Sequence, residues 1–289
     1  MPVNDHYTTQ FATNWIHRIQ QTKQRLAPFI DWDAFSGERK RYDRLGAQSS
    51  QPKTERNAPT PIQEASSDSR WAVRQEFNMG NLLDKKDAKK LGELVLPQSD
   101  YVRAHANAFH RDCDDIIWQA ALGSVVTGKA GDTSLALPAG QKVAHQSKNL
   151  NVAKLIQMNE LFDDADLEDE APRCILVTAK QLSSMLNSTK VTSADYAAVK
   201  ALVNGTVDTF MGFKFIKIKR LPKTGNIRTI VAFAKGSIRG FMGEKETDIG
   251  LRKDLSNALQ IYSEWDLGAV RVHDESVVSC ECDESVTGD

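Results

Sequence analysis

The stretch from about residue 98 to 122 constrains the fold of this chain most. Val102, Ala106, Phe109, Cys113, Ile116, Ile117 and Ala120 recur at spacings of three and four, which places one apolar stripe on a helix. Arg103, Asn107, His110 and Asp114 fall on the other face. Pro97 breaks the chain ahead of the stripe, Ser99 or Asp100 can cap it, and Gly123 ends it. At 1.5 Å per residue such a helix is about 35 Å long, as long as a small domain is wide. Whatever packs on it must be extended enough to lie along it, so the spacing predicts a flat body built on one long helix.

The segments before it read as projections. Residues 5–27 show Phe11, Trp15, Ile19 and Leu26 at helical spacing, with Arg18, Lys23 and Arg25 between them, and Pro28 ends the pattern. A helix this polar must pack against its own body or a neighbouring subunit. Ile30, Trp32 and Ala34 then alternate with Asp31 and Asp33, and alternation returns at Trp71, Val73 and Phe77. Between these runs, residues 48–70 carry three prolines and almost no large apolar side chains, so they cannot bury a core. The arrangement predicts a long projecting hairpin, and a hairpin alone is marginal in water.

After the helix the pattern is mixed, which makes the fold class α+β. A Gly-rich loop spans 123–140, and a helix follows at NVAKLIQMNELF. Beyond the acidic run at 163–170, RCILVTA reads as a buried strand and KQLSSML as a helix. In TSADYAAVKALVNGTVDTFMGFKF, Thr192 or Ser193 caps a helix packed through Tyr196, Val199 and Val203. Asn204-Gly205 then turns the chain into a strand carrying Phe210, Phe213 and Phe215. KFIKIKRL, RTIVAFA and SIRGFMG read as further strands, with a turn at 224–226, and 258–282 as long alternating strand material.

Chemistry is hard to place on this frame. Lys plus Arg number 37 and Asp plus Glu 38, a net charge of −1, without the basic excess of a duplex-DNA binder. GSVVTGKA has phosphate-loop spacing, but it follows a helix and offers Ala130 where a magnesium-binding hydroxyl belongs. His110, Cys113 and Asp114 lie close on one helix without a fourth ligand, and Cys280 and Cys282 share one face of a strand without a CxxC pattern. No G-x-S-x-G or H-E-x-x-H occurs. We expect no catalytic, cofactor or metal site. The basic run Arg39, Lys40, Arg41 and Arg44 reads as a solvated face or as a charged contact to another subunit. The N-terminus lacks the basic and apolar regions of a signal peptide, and no apolar run reaches the roughly 18 residues of a membrane span.

Several local stretches carry a resemblance. RYDRLGA, LPAGQKVA, the run from VTAKQLSSML through TFMGFKF, and the ending GAVRV…VV.C.C resemble the major capsid proteins of tailed bacteriophages, which share the Johnson fold (the Hong Kong phage capsid fold). The resemblance implies an N-terminal arm at 1–34, an extended β-hairpin loop at 35–80 and a peripheral domain at 81–145 carrying the spine helix. An axial domain at 146–245 and peripheral strands with a C-terminal tail at 246–289 complete it. It also implies pentamers and hexamers closing into an icosahedral shell around double-stranded DNA, which is not bound sequence-specifically. Arm and loop reach over neighbouring subunits, so Arg39, Lys40, Arg41, Arg44, Trp15 and Trp71 are the candidate inter-subunit contacts. The partners expected are further copies of the chain, a portal at one vertex, a separate scaffolding protein and a decoration protein. The location is the virion, after assembly in the bacterial host cytoplasm. No local pattern places the Lys–Asn bond that welds subunits in some members. Two other readings stand beside this one: the shell of a cellular nanocompartment of the same fold, and a DNA-modifying enzyme using the basic hairpin. Deleting 47–70 is expected to leave a folded body that cannot form a shell.

Overall fold

The computed structural model describes residues 21–34, 36–46, 48–56, 60, 62, 64–83, 100–165, 171–187 and 209–286. Its longest helix is α1, Asp100–Leu122, 23 residues, where the apolar stripe places it. Cys113, Ile116, Ile117 and Ala121 are buried. The opposite face is not free, however. Asn107 and Asp114 are buried as well, and so is His105. Both flanks of α1 are covered, one by a sheet and one by the segment that leads into the body from residue 21. Asp114 holds that segment: its carboxylate accepts the N–H groups of Arg25 and Leu26 at 3.1 Å, together with the Gln21 side chain. Burial pushes the Asp114 carboxyl up, against the pull of those backbone donors. Residues 21–26 are not helical, which corrects the expected helix over 5–27 where it is described. A short 3₁₀ turn, Ala27–Phe29, contains Pro28 and seats Phe29 in the core.

Among the described residues the strands form three sheets. The first has the order β1 (Asp31–Ala34), β13 (Ile238–Arg252), β14 (Ala258–Arg271) and β4 (Gln75–Leu83). One face lies along α1, as a 35 Å helix requires. His105 Nε2 donates to Asn81 Oδ1 at 2.7 Å, and its Nδ1 accepts from Ser263 at 2.8 Å, the neutral tautomer that burial favours. The expected pairing of the strands near 31 and 71 does not occur. β1 runs parallel to β13, with Trp32 opposite Gly240, where an added Cβ would stand 2.7 Å from the indole.

The second sheet holds the hairpin: β2 (Arg39–Leu45), β3 (Ser67–Val73), β5 (Val125–Thr127) and β6 (Thr133–Leu135). The expected loop at 123–140 therefore contains two short strands that extend the hairpin. The GSVVTGKA motif forms β5 and the turn after it, where Gly128 and Gly131 adopt left-handed φ of 92° and 68°.

The third sheet has the order β7 (Lys142–Val143), β15 (Val277–Asp283), β12 (Ile227–Ala234), β8 (Arg173–Val177), β10 (Phe213–Lys217) and β9 (Thr209–Phe210), with β11 (Lys223–Thr224) beside β12. Helices α2 (Val152–Asp163) and α3 (Ala179–Leu186) belong with it. Asn151 Oδ1 caps α2 through the Lys154 N–H, and Gln181 Oε1 accepts the Thr178 N–H at the start of α3. Phe210 and Phe213 do not share one continuous strand. A two-residue turn at Met211-Gly212, both at positive φ, folds β9 back on β10. The expected helix from Thr192 and turn at Asn204-Gly205 lie outside the described residues.

One core cluster joins α1, α2, α3 and the third sheet, and includes Cys113, Cys174, Cys280 and Cys282 as buried free thiols. A smaller cluster of Ala72, Val125, Phe241, Val270 and Val272 lies under the base of the hairpin. Gly268 belongs to its architecture. It pairs with Phe241, and an added Cβ would meet the Phe241 ring and stand 2.9 Å from the Val73 carbonyl oxygen. Gly268→Ala is expected to destabilise the subunit by about 1–3 kcal/mol through overpacking. Urea unfolding of the unassembled subunit checks this, and an unshifted midpoint would contradict it.

Candidate subunit interface

The hairpin is firmly rooted, and its described residues toward the tip are exposed. β2 and β3 pair from Arg39 opposite Val73 to Leu45 opposite Ser67, and Gly46 N–H donates to Ser66 O at 2.7 Å. Beyond that bond residues 48–56 are all exposed and form no strand. Leu45 and Ile62 stand 68% and 94% exposed, so two large apolar groups face water on the projection.

The root is an ionic cluster buried in the protein. Arg70 on β3 and Arg271 at the end of β14 are both fully buried. They share Asp274: Arg70 Nη2 lies 2.7 Å from Oδ2 and Arg271 Nε 2.5 Å from Oδ1. Arg271 Nη1 also donates to the carbonyls of Ala121, in the last turn of α1, and of Gly123 just after it, both at 2.8 Å. Arg44 extends the cluster outward to Asp68 and Glu275, each at 3.6 Å. The hairpin is thus tied, through Asp274, to the end of the spine helix. An isolated charge in this environment would be strongly disfavoured, and the shared carboxylate is what makes two buried guanidiniums tolerable.

The six sequence candidates are distributed unevenly. Arg39 is exposed on β2. Arg41 is exposed, pairs with Asp43 at 2.5 Å and lies 5.9 Å from the Trp71 ring. Lys40 turns inward to Asp33 at 2.8 Å, next to Tyr42, whose hydroxyl donates to the same carboxylate at 3.0 Å. Burial and that bond push the Tyr42 hydroxyl well above its usual range. Arg44 serves the root cluster. Trp71 is half-buried, donates to Gly128 O at 2.7 Å and packs against Gly131. Trp15 lies outside the described residues. Sequence reasoning missed Arg70, Arg271 and Asp274. Arg70 alternates with Ala72 on the inward face of β3, opposite Trp71 and Val73, but the alternation alone does not say which face turns inward.

Among the described residues no group of three His, Cys, Asp or Glu side chains could hold a metal, and no helix is long and apolar enough to cross a membrane.

Comparison with known proteins identifies the arrangement. A family model described as phage capsid protein matches residues 3–284. No curated protein matches the chain in sequence. Similar solved structures include the capsid of Ralstonia phage GP4, 10% identical with a TM-score of 0.71, over 98% of this chain and 97% of that one. A chain from Mycobacterium phage Che8 is 17% identical with a TM-score of 0.68, over 96% and 97%. The cyanophage Pam1 capsid is 13% identical with a TM-score of 0.69, over 100% and 99%. At such identities these likenesses speak for the fold, and the family match speaks for the role. The chain belongs to the phage capsid protein family, with the fold of tailed-phage major capsid proteins and a structural role in the virion shell.

Proposed function

We propose that the chain assembles as pentamers and hexamers into an icosahedral shell around double-stranded DNA, with the hairpin as its reach to a neighbouring subunit. The observation that carries this is the hairpin itself. Its root is held by buried charges, while the described residues 48–56, 60, 62 and 64 toward its tip are exposed. A rigidly based arm that meets a different patch on the next copy makes a heterologous contact, and such contacts close into rings around a rotation axis. Each contact can be weak, because ring closure makes later contacts effectively intramolecular. In this reading Arg39, Lys40, Arg41, Arg44, Trp15 and Trp71 line or support the arm contacts. Residues 1–34 form an arm, 35–80 the extended loop, 81–145 the peripheral domain, 146–245 the axial domain and 246–289 peripheral strands and tail. β15 pairs with β12 and would extend the axial sheet. Assembly in the bacterial cytoplasm with a separate scaffolding protein, a portal at one vertex and a decoration protein completes the proposal.

The test needs a shorter deletion than 47–70. That cut removes Ser69 and Arg70, both buried, and strips Asp274 of a partner. Replacing 48–65 with a two-residue turn spares the root. The shortened subunit is expected to unfold at the denaturant midpoint of the full chain and to yield no closed particles by negative-stain microscopy. Closed shells from it would overturn the role of the hairpin.

A further inference from the structure

The ionic root of the hairpin does not close on itself. Arg70 and Arg271 are both fully buried, and the buried carboxylate they share is Asp274. One carboxylate against two guanidiniums leaves a positive charge in the interior. The groups outside do not cancel it where it lies. Asp68 stands 3.3 Å from Arg70 but is part-exposed and shared with Arg44, and Glu275 is exposed and pairs with Arg44. The donors tell the same story. Arg271 spends Nε on Asp274 and Nη1 on the carbonyls of Ala121 and Gly123. Arg70 spends only Nη2, on Asp274 and Asp68. Nε and Nη1 of Arg70 and Nη2 of Arg271 are buried and meet no acceptor among the described residues. A guanidinium nitrogen can only donate, and a buried donor left unanswered is costly.

We propose that the hairpin root is a binding site for one small monovalent anion of the chloride class, held by the open N–H groups of Arg70 and Arg271. Both guanidiniums grip the same carboxylate, so their remaining donors lie within a guanidinium's width of it. A halide accepts from several N–H groups at once, brings no hydrogen that needs an acceptor, and cancels the surplus charge. A water molecule accepts from the same donors but adds two O–H groups of its own and no charge. The surroundings favour the ion pair further. Arg271 lies between Val270 and Val272, and Arg70 two residues from Ala72, all members of the apolar cluster under the hairpin. Charges attract more strongly in such a setting than in water. The anion thereby joins β3, the end of β14 and, through Arg271, the end of α1. The stiffness of the hairpin base then depends on a solute.

Urea unfolding of the unassembled subunit in mixtures of sodium chloride and sodium gluconate, at one fixed ionic strength, tests this. Gluconate is too large for the site, so only chloride is expected to stabilise. For one ion bound by the folded state alone, the folded-to-unfolded ratio should rise about tenfold for each tenfold rise in chloride above the dissociation constant. Arg70→Met removes two of the three open nitrogens and the surplus charge, and should flatten that dependence. Arg39→Gln, at an exposed position on β2, should keep it. Equal stability in the two salts would show that water answers the donors and would overturn the anion. A chloride dependence that survives in Arg70→Met would overturn the location. Crystals of the unmodified chain grown with bromide give a reading that needs no variant. An anomalous peak within hydrogen-bond reach of Arg70 and Arg271 is expected, and its absence there would overturn the site.

Discussion

Asp274→Ala is expected to cost the subunit about 3–5 kcal/mol, the range for removing one partner from a buried ion pair. The reason is the ratio at the site. Asp274 touches two fully buried guanidiniums, Arg70 at 2.7 Å and Arg271 at 2.5 Å. Without it Arg271 keeps the carbonyls of Ala121 and Gly123, but Arg70 keeps only the more exposed Asp68, at 3.3 Å. Arg70→Met should cost less, because Asp274 then still pairs with Arg271. Equilibrium unfolding of the unassembled subunits measures both, and equal midpoints for Asp274→Ala and the unmodified chain would refute the account. The same substitution unties the hairpin from α1. Protease cleavage within 39–73 should therefore speed up in Asp274→Ala before global unfolding does.

Lys154→Met is the second large effect, at roughly 3 kcal/mol, counting about 1 kcal/mol for each of the three hydrogen bonds lost from the ammonium. Lys154 is buried on α2 and carries no carboxylate partner in its contacts. Its ammonium donates instead to the carbonyls of His145, Lys148 and Glu281, at 2.9, 2.8 and 2.7 Å. All three protons are used, and three chain segments meet on one nitrogen: the turn after β7, the approach to α2, and β15. Methionine fills the space of the side chain but replaces none of the three hydrogen bonds; the His145 and Lys148 oxygens keep the backbone N–H groups of Lys148 and Asp283. Urea unfolding with a clear drop in midpoint is the expected result. Faster amide exchange should appear at Asp283, whose N–H donates to Lys148 O at 3.0 Å. A neutral substitution would show that water replaces the ammonium without cost.

These two residues mark where legibility in the sequence ended. The stripe of α1 was readable because a half-buried helix repeats its apolar side chains every three to four residues. What covers its polar face was not readable, because periodicity reports which residues group together, not what packs on them. Asp114 looks like part of a solvent face until the segment at 21–26 closes over it, and Asn107 beside it is buried as well. The hairpin was legible as a polar, proline-broken insert, yet its strands were assigned one element too far apart. Asp31 to Ala34 alternates as convincingly as Arg39 to Leu45, and alternation carries no information about the partner strand. Trp71 and Arg41 were legible as members of the hairpin, and their mutual contact needed coordinates.

The sequence by itself determined the long helix, the strand-rich α+β character, the projecting insert and the membership that its quoted stretches suggested. Those depend on local periodicity, on proline and glycine, and on side-chain composition, all of which are written along the chain. Only the tertiary structure decided that β1 joins β13, that β15 joins β12, and that Arg70, Arg271, Asp274 and Lys154 are interior. A buried charge is stable only beside its partner. Asp274 lies 204 residues from Arg70, so no local pattern could have announced the pair.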